Sequence, residues 1–196
     1  MKPRALLVLG LGLAAMISLP SALRAVPPDD QRAALLEVVR GFYGWVLRDG
    51  TRVAELQPVI REVPGSTRLT LDRSKESAFA GAFVKSGYFT RDFPKAIARY
   101  YDRHAAELDS TSQAEFDQMA QDGRGPLMEV EDMDLFFCAQ EYGYRQGFVD
   151  SLKVASAAAE GDTARLEIVS SYGWPVTFRF RRVDGKWLIR GYGVYE

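Results

Sequence analysis

A chain of 196 residues with 47% apolar content and a formal net charge of −1 has material for one substantial core, and it lacks the basic excess of a nucleic-acid or anionic-membrane binder. Its single cysteine, Cys138, excludes an intrachain disulfide and any cysteine-built zinc site, and its single histidine, His104, excludes a two-histidine metal centre within one chain. Asparagine is absent, which removes Cys-His-Asn catalysis and asparagine oxyanion donors.

The N-terminus has the layout of a secretory signal. Lys2 and Arg4 precede an uncharged run from Ala5 to Leu19, Pro20 and Ser21 break it, and Ala25 offers a small residue for cleavage. The run is short for a membrane span, which needs about 20 apolar residues. Residues 1–25 are therefore expected to be a signal peptide and 26–196 one domain, periplasmic or secreted. No cysteine near the cut would carry a lipid anchor. Cleavage after Ala25 removes Lys2, Arg4 and Arg24 and takes the formal charge from −1 to −4.

Asp29 and Asp30 suit a helix start, and Leu35, Leu36, Val39, Phe42, Tyr43 and Val46 recur at helical spacing, which predicts a helix from Gln31 to about Leu47 that ends at Arg48-Asp49-Gly50. Thr51 to Arg73, with Pro58, Pro64 and Gly65, reads as an irregular connection holding a short strand at Leu69–Leu71. A short helix is expected from Lys75 to Ser86, stopped by Gly87. A longer one begins at Pro94, with Ile97, Tyr101, His104 and Leu108 on one face, and a further one runs from a cap at Ser110–Ser112 through Met119. Gly123-Arg124-Gly125-Pro126 ends the helical part.

Beyond it the period becomes two. Strands are expected at Leu152-Val154-Ser156, at Leu166-Ile168-Ser170, at Val176-Phe178-Phe180 and over Lys186–Val194, with turns at Gly161-Asp162 in the first pair and Asp184-Gly185 in the last. Helices followed by strands imply an α+β fold, N-terminal helices packed on a curved four-stranded antiparallel sheet.

Three stretches carry a family likeness: Gly41-Phe42-Tyr43-Gly44-Trp45, Asp134-Leu135-Phe136-Phe137-Cys138-Ala139-Gln140-Glu141 and Asp184-Gly185-Lys186-Trp187-Leu188-Ile189. With the order of elements, they resemble the bacterial envelope family called domain of unknown function 3828, which looks like a branch of the nuclear transport factor 2-like superfamily. The resemblance implies a cone whose sheet curls around a pocket. It implies no catalytic residue.

Candidate chemistry is sparse. His104 has the side chain suited to proton transfer near neutral pH, but its apolar face favours a structural role. Asp134 stands beside Leu-Phe-Phe, where desolvation would raise its pKa toward that of an isomerase-type base; a loop or cap carboxylate is the plainer reading. Glu129, Glu131 and Asp132 lack EF-hand spacing and read as a solvated loop, so no metal and no cofactor is expected. Cys138 has no basic neighbour in sequence and reads as a packed thiol. Tyr43, Trp45, Tyr142 and Trp174, with Tyr144, Tyr172, Trp187 and Tyr192, are candidates to line an apolar ligand pocket. Arg179, Arg181, Arg182 and Arg190 offer a basic patch for an acidic partner, although alternating charges on an exposed sheet face are common. The leading expectation is a noncatalytic envelope module that binds a protein partner or a small apolar ligand. A cofactor-free lyase or isomerase using Asp134 or His104 with a tyrosine, and an immunity-type interaction protein, are the alternatives.

Overall fold

The structure, a computed structural model, describes residues 26–123, 134–138, 145–171 and 173–196. It is an α+β arrangement of helices followed by an antiparallel sheet.

Helix α1 spans Asp29–Ala54 and buries Leu35, Val39, Phe42, Tyr43, Trp45, Val46 and Val53 along one side. It runs straight through Gly50, where a stop was expected. A glycine inside a helix costs about 1 kcal/mol. Here Gly50 is buried with a missing side chain whose Cβ would stand 2.9 Å from Val46 Cγ1, and the turn it continues brings Val53 into the core at 3% exposure. Each apolar side chain so buried contributes about 1.5–3 kcal/mol, enough to outweigh the glycine. The helix ends at Ala54, four residues after Gly50 and ahead of Pro58, which has no amide to donate.

The stretch read as an irregular connection holds a hairpin. Strand β1 (Val59–Glu62) pairs antiparallel with β2 (Leu69–Asp72), in register Val59 to Asp72 and Glu62 to Leu69. Helix α2 (Glu76–Lys85) and helix α3 (Pro94–Ser110) follow the expected bounds closely, and β2 packs on α3. Helix α4 (Gln113–Gln121) is opened by Ser112, whose hydroxyl accepts from the Glu115 amide while the Glu115 carboxylate accepts from the Ser112 amide. Phe116 of α4 and Leu108 of α3 form a small separate cluster against Ile60, Leu69 and Leu71 of the hairpin.

A short helix that the sequence reading did not separate, α5 (Gln146–Asp150), packs on α1 and leads into the sheet. Strands β3 (Lys153–Glu160), β4 (Thr163–Val169), β5 (Pro175–Val183) and β6 (Lys186–Tyr192) form one antiparallel meander in that order. Leu166, Ile168, Val176, Phe178, Phe180 and Ile189 are buried on the face that α1 packs against. Two bulges break the alternation. One lies between Val154 and Ser156, so Ser156 pairs with Glu167 rather than following Val154 inward. The other is in β6, where Phe180 pairs with Ile189 and Arg179 with Gly191. The free edge of β6 is covered by residues 88–90: the Ile189 amide donates to the Tyr88 carbonyl at 2.8 Å, and the Thr90 amide to the Ile189 carbonyl at 2.9 Å.

Strand β6 stops at Tyr192 instead of reaching Val194. Gly193, at φ +51°, turns the chain back so that Tyr195 bridges Tyr192 and enters the core with no exposed surface. The interior is aromatic. Phe178 stacks on Tyr192 with centroids 5.2 Å apart, and Phe42 sets its edge against Phe89 at 5.0 Å and Tyr192 at 5.1 Å.

Candidate functional site

Asp134 opens the tight turn Asp134-Leu135-Phe136-Phe137-Cys138, and its Oδ1 accepts from the amides of Phe136 (2.9 Å) and Phe137 (3.0 Å). This is the geometry of a cap, forced by an aspartate preceding residues whose side chains are drawn inward: Leu135, Phe136 and Phe137 are all buried. Burial pushes the Asp134 carboxyl above its ordinary value, against the opposing pull of the two amides. Tyr192 reaches the same turn, but its hydroxyl donates to the Leu135 carbonyl at 3.0 Å rather than to Asp134. Cys138 closes the turn at φ +51°, its Sγ 3.8 Å from the Leu135 carbonyl, and burial pushes its thiol up to about 12. A thiol so raised is neutral at physiological pH, as expected of a packed cysteine.

His104 lies on α3 at 8% exposure, its ring set edge-on against Tyr100 with centroids 4.5 Å apart. The nearest carboxylate, that of Glu107, stands 3.6 Å from Nδ1, and neither ring nitrogen has a hydrogen bond among the described residues. A buried structural histidine ordinarily has at least one ring nitrogen hydrogen-bonded, and among the described residues this one has none.

The aromatic pocket candidates are separated. Tyr43 is fully buried and stacked on Phe137 at 4.8 Å. Trp45 packs in the same core against Phe42 and Phe83. Trp174 is 58% exposed in the connection between β4 and β5, so it shares no cavity wall with the other two. Tyr142, Tyr144 and Tyr172 lie outside the described residues, as do Glu129, Glu131 and Asp132.

The arginines of the terminal hairpin do not form one patch. Arg181 approaches Asp92 at 3.6 Å, and Arg182 lies over the Trp187 ring at 4.7 Å. Arg179 and Arg190 instead line a groove of about 550 Å³ on the outer sheet face, and the third arginine there is Arg165 of β4. The sequence reading missed Arg165 because only strand register shows that it stands opposite Arg179. A hollow of about 530 Å³ beside α1 and α5 is lined by side chains of both signs, Glu37, Arg40, Arg48 and Asp150.

Among the described residues no group of three or more acidic, histidine or cysteine side chains is placed to hold a metal ion, and no helix is long and apolar enough to cross a membrane. No family model, curated protein or solved structure matches the chain.

Proposed function

We propose that this chain is an exported envelope module, periplasmic or secreted, that acts by binding a protein partner through its surface and carries out no reaction of its own. The observation that carries this reading is the state of the aromatic interior. Phe42, Tyr43, Phe178, Tyr192 and Tyr195 have no exposed surface and pack ring against ring, so the side chains best suited to hold a small apolar ligand hold one another. The resemblance to domain of unknown function 3828 and the nuclear transport factor 2-like superfamily, whose members include dehydratases, isomerases and many noncatalytic binding modules, is compatible with a binding role in the envelope. The position of Asp134 supports it too. Its Oδ1 caps the amides of Phe136 and Phe137, and the Tyr192 hydroxyl at the same turn donates to the Leu135 carbonyl rather than to the carboxylate.

Site-specific photo-crosslinking in the native envelope tests the reading, with the crosslinker placed at exposed Trp174 or at exposed Val59 and, as control, at buried Phe178. One discrete protein adduct from a surface position and none from Phe178 is the expected result. Turnover of an enolisable or hydratable substrate, abolished in Asp134→Asn or His104→Ala protein of unchanged stability, would overturn it in favour of a lyase or isomerase.

A further inference from the structure

Three arginines stand in a row across neighbouring strands of the outer sheet face. Arg165 of β4 and Arg179 of β5 are directly opposite in register. Arg190 is the extra residue of the β6 bulge, lying between Gly191, which pairs with Arg179, and Ile189, which pairs with Phe180. Adjacent strands lie about 4.8 Å apart, so the row spans roughly 10 Å. All three line the groove of about 550 Å³, together with Ala158, Glu160 and Thr163. Like charges set opposite each other on an antiparallel pair are unfavourable, and a bulge commonly re-aims a side chain at a site. The opposed charges work against stability unless negative charge is supplied.

Part of that charge is present. Arg179 Nη2 donates to the Glu196 carboxylate at 2.7 Å, and Arg99 holds the Glu196 carbonyl at 3.2 Å. The flanking arginines are less engaged. Arg165 meets Glu167 at 3.4 Å and the Thr177 hydroxyl at 3.1 Å, and Arg190 makes no close ion pair among the described residues, although its charge, with that of Arg181, helps to lower the Asp92 carboxyl. Glu160, the one acidic side chain lining the groove, sits at its end beside the β3–β4 turn, opposite Thr163.

We propose that this groove binds a small polyanion, a molecule bearing two or more carboxylate or phosphate groups, with Glu196 as the internal occupant of its central position. The guanidinium fork takes carboxylate and phosphate oxygens in paired hydrogen bonds. One carboxylate satisfies one arginine. A molecule with several oxyanions spans the row and turns mutual repulsion into shared attraction. The groove's volume is that of a small-molecule site. This site is separate from partner binding, so its failure leaves that reading to its own crosslinking result.

Isothermal titration of the purified protein at low ionic strength decides the matter, with inorganic pyrophosphate and citrate as probes and acetate as the single-charge control. One-to-one saturable binding of pyrophosphate or citrate, weakened by salt and absent for acetate, is expected. Arg165→Gln and Arg190→Gln should each weaken it about tenfold, the scale of one charge-assisted hydrogen bond. Glu196→Gln should tighten it by removing the competitor, and Arg52→Gln on α1 should leave it unchanged. If a glutamine variant loses its fold by circular dichroism, Arg165→Lys and Arg190→Lys carry the test, because lysine keeps the charge but lacks the fork and should bind more weakly. No saturable binding, an equal loss in Arg52→Gln, or no tightening in Glu196→Gln overturns the proposal. Tighter binding of a pentaglutamate peptide than of either probe overturns it in favour of an acidic protein segment.

Discussion

The thiol of Cys138 fills the space that a side chain at Gly193 would need: a Cβ built there overlaps Sγ and lies 3.3 Å from the Cys138 Cβ. Both residues have positive φ, so two left-handed turns are packed against each other. Gly193→Ala is expected to destabilise the protein by about 1–3 kcal/mol, the cost of overpacking added to that of a side chain at φ +51°. Urea denaturation of Gly193→Ala, Cys138→Ala and the double variant checks this. The double variant should be less destabilised than the two single losses added together, and strict additivity would refute the contact.

The same burial governs the alkaline limb of stability. Cys138 is pushed up to about 12 from 9.0, and burial likewise pushes the Tyr101 hydroxyl to about 12 from 10.0. The unfolded chain gives up these protons first, so the stability they contribute is full below about pH 9 and is lost between there and about pH 12. Labelling of the native thiol with an aromatic disulfide should proceed only as fast as unfolding. Rapid stoichiometric labelling of folded protein would contradict a thiol packed against Gly193.

For Asp134 the sign runs against the ionised form. Its carboxyl is raised above the ordinary 3.8 by burial, so its contribution is full below that value and falls as pH rises through the folded one. Asp134→Asn keeps an acceptor for the amides of Phe136 and Phe137 without the charge. It should be at least as stable as the parent near neutral pH, with the difference closing in acid, whereas Asp134→Ala should lose about 1 kcal/mol. Denaturation curves at neutral and acid pH separate the two.

At His104 the ring acts by filling space against Tyr100. His104→Phe should stay within about 1.5 kcal/mol of the parent, because the ring nitrogens make no hydrogen bond among the described residues, while His104→Ala should cost about 2–4 kcal/mol by leaving a cavity. Thermal melts of both variants test this. An alanine variant as stable as the parent would return His104 to consideration as a base.

Export is checked most directly by mass spectrometry of the protein recovered from its native envelope, which should show a mature N-terminus near Val26. Recovery of the chain with Met1 in the membrane fraction would refute cleavage.

Helices α1 to α4 and the four strands of the meander were legible in the amino-acid order because each is announced by a local period. Helical spacing runs from Leu35 to Val46, alternation runs from Val176 to Phe180, and Asp184-Gly185 turns the chain between β5 and β6. The end of α1 was not legible, because whether Gly50 stops a helix depends on what Val53 can bury against. Nor was the β1–β2 pairing, which requires two short segments to meet across Pro64-Gly65. The candidate sites divide in the same way. Periodicity placed Tyr43 on an inward face, but the partner opposite it, Phe137, comes from a distant turn, and that partner makes the tyrosine part of a filled core. The order of residues singled out Arg179 and Arg190 but not Arg165. Only the register of β4 on β5 and the bulge at Arg190 set the three in one row, since a shift of a single residue in either strand carries a side chain to the opposite face of the sheet.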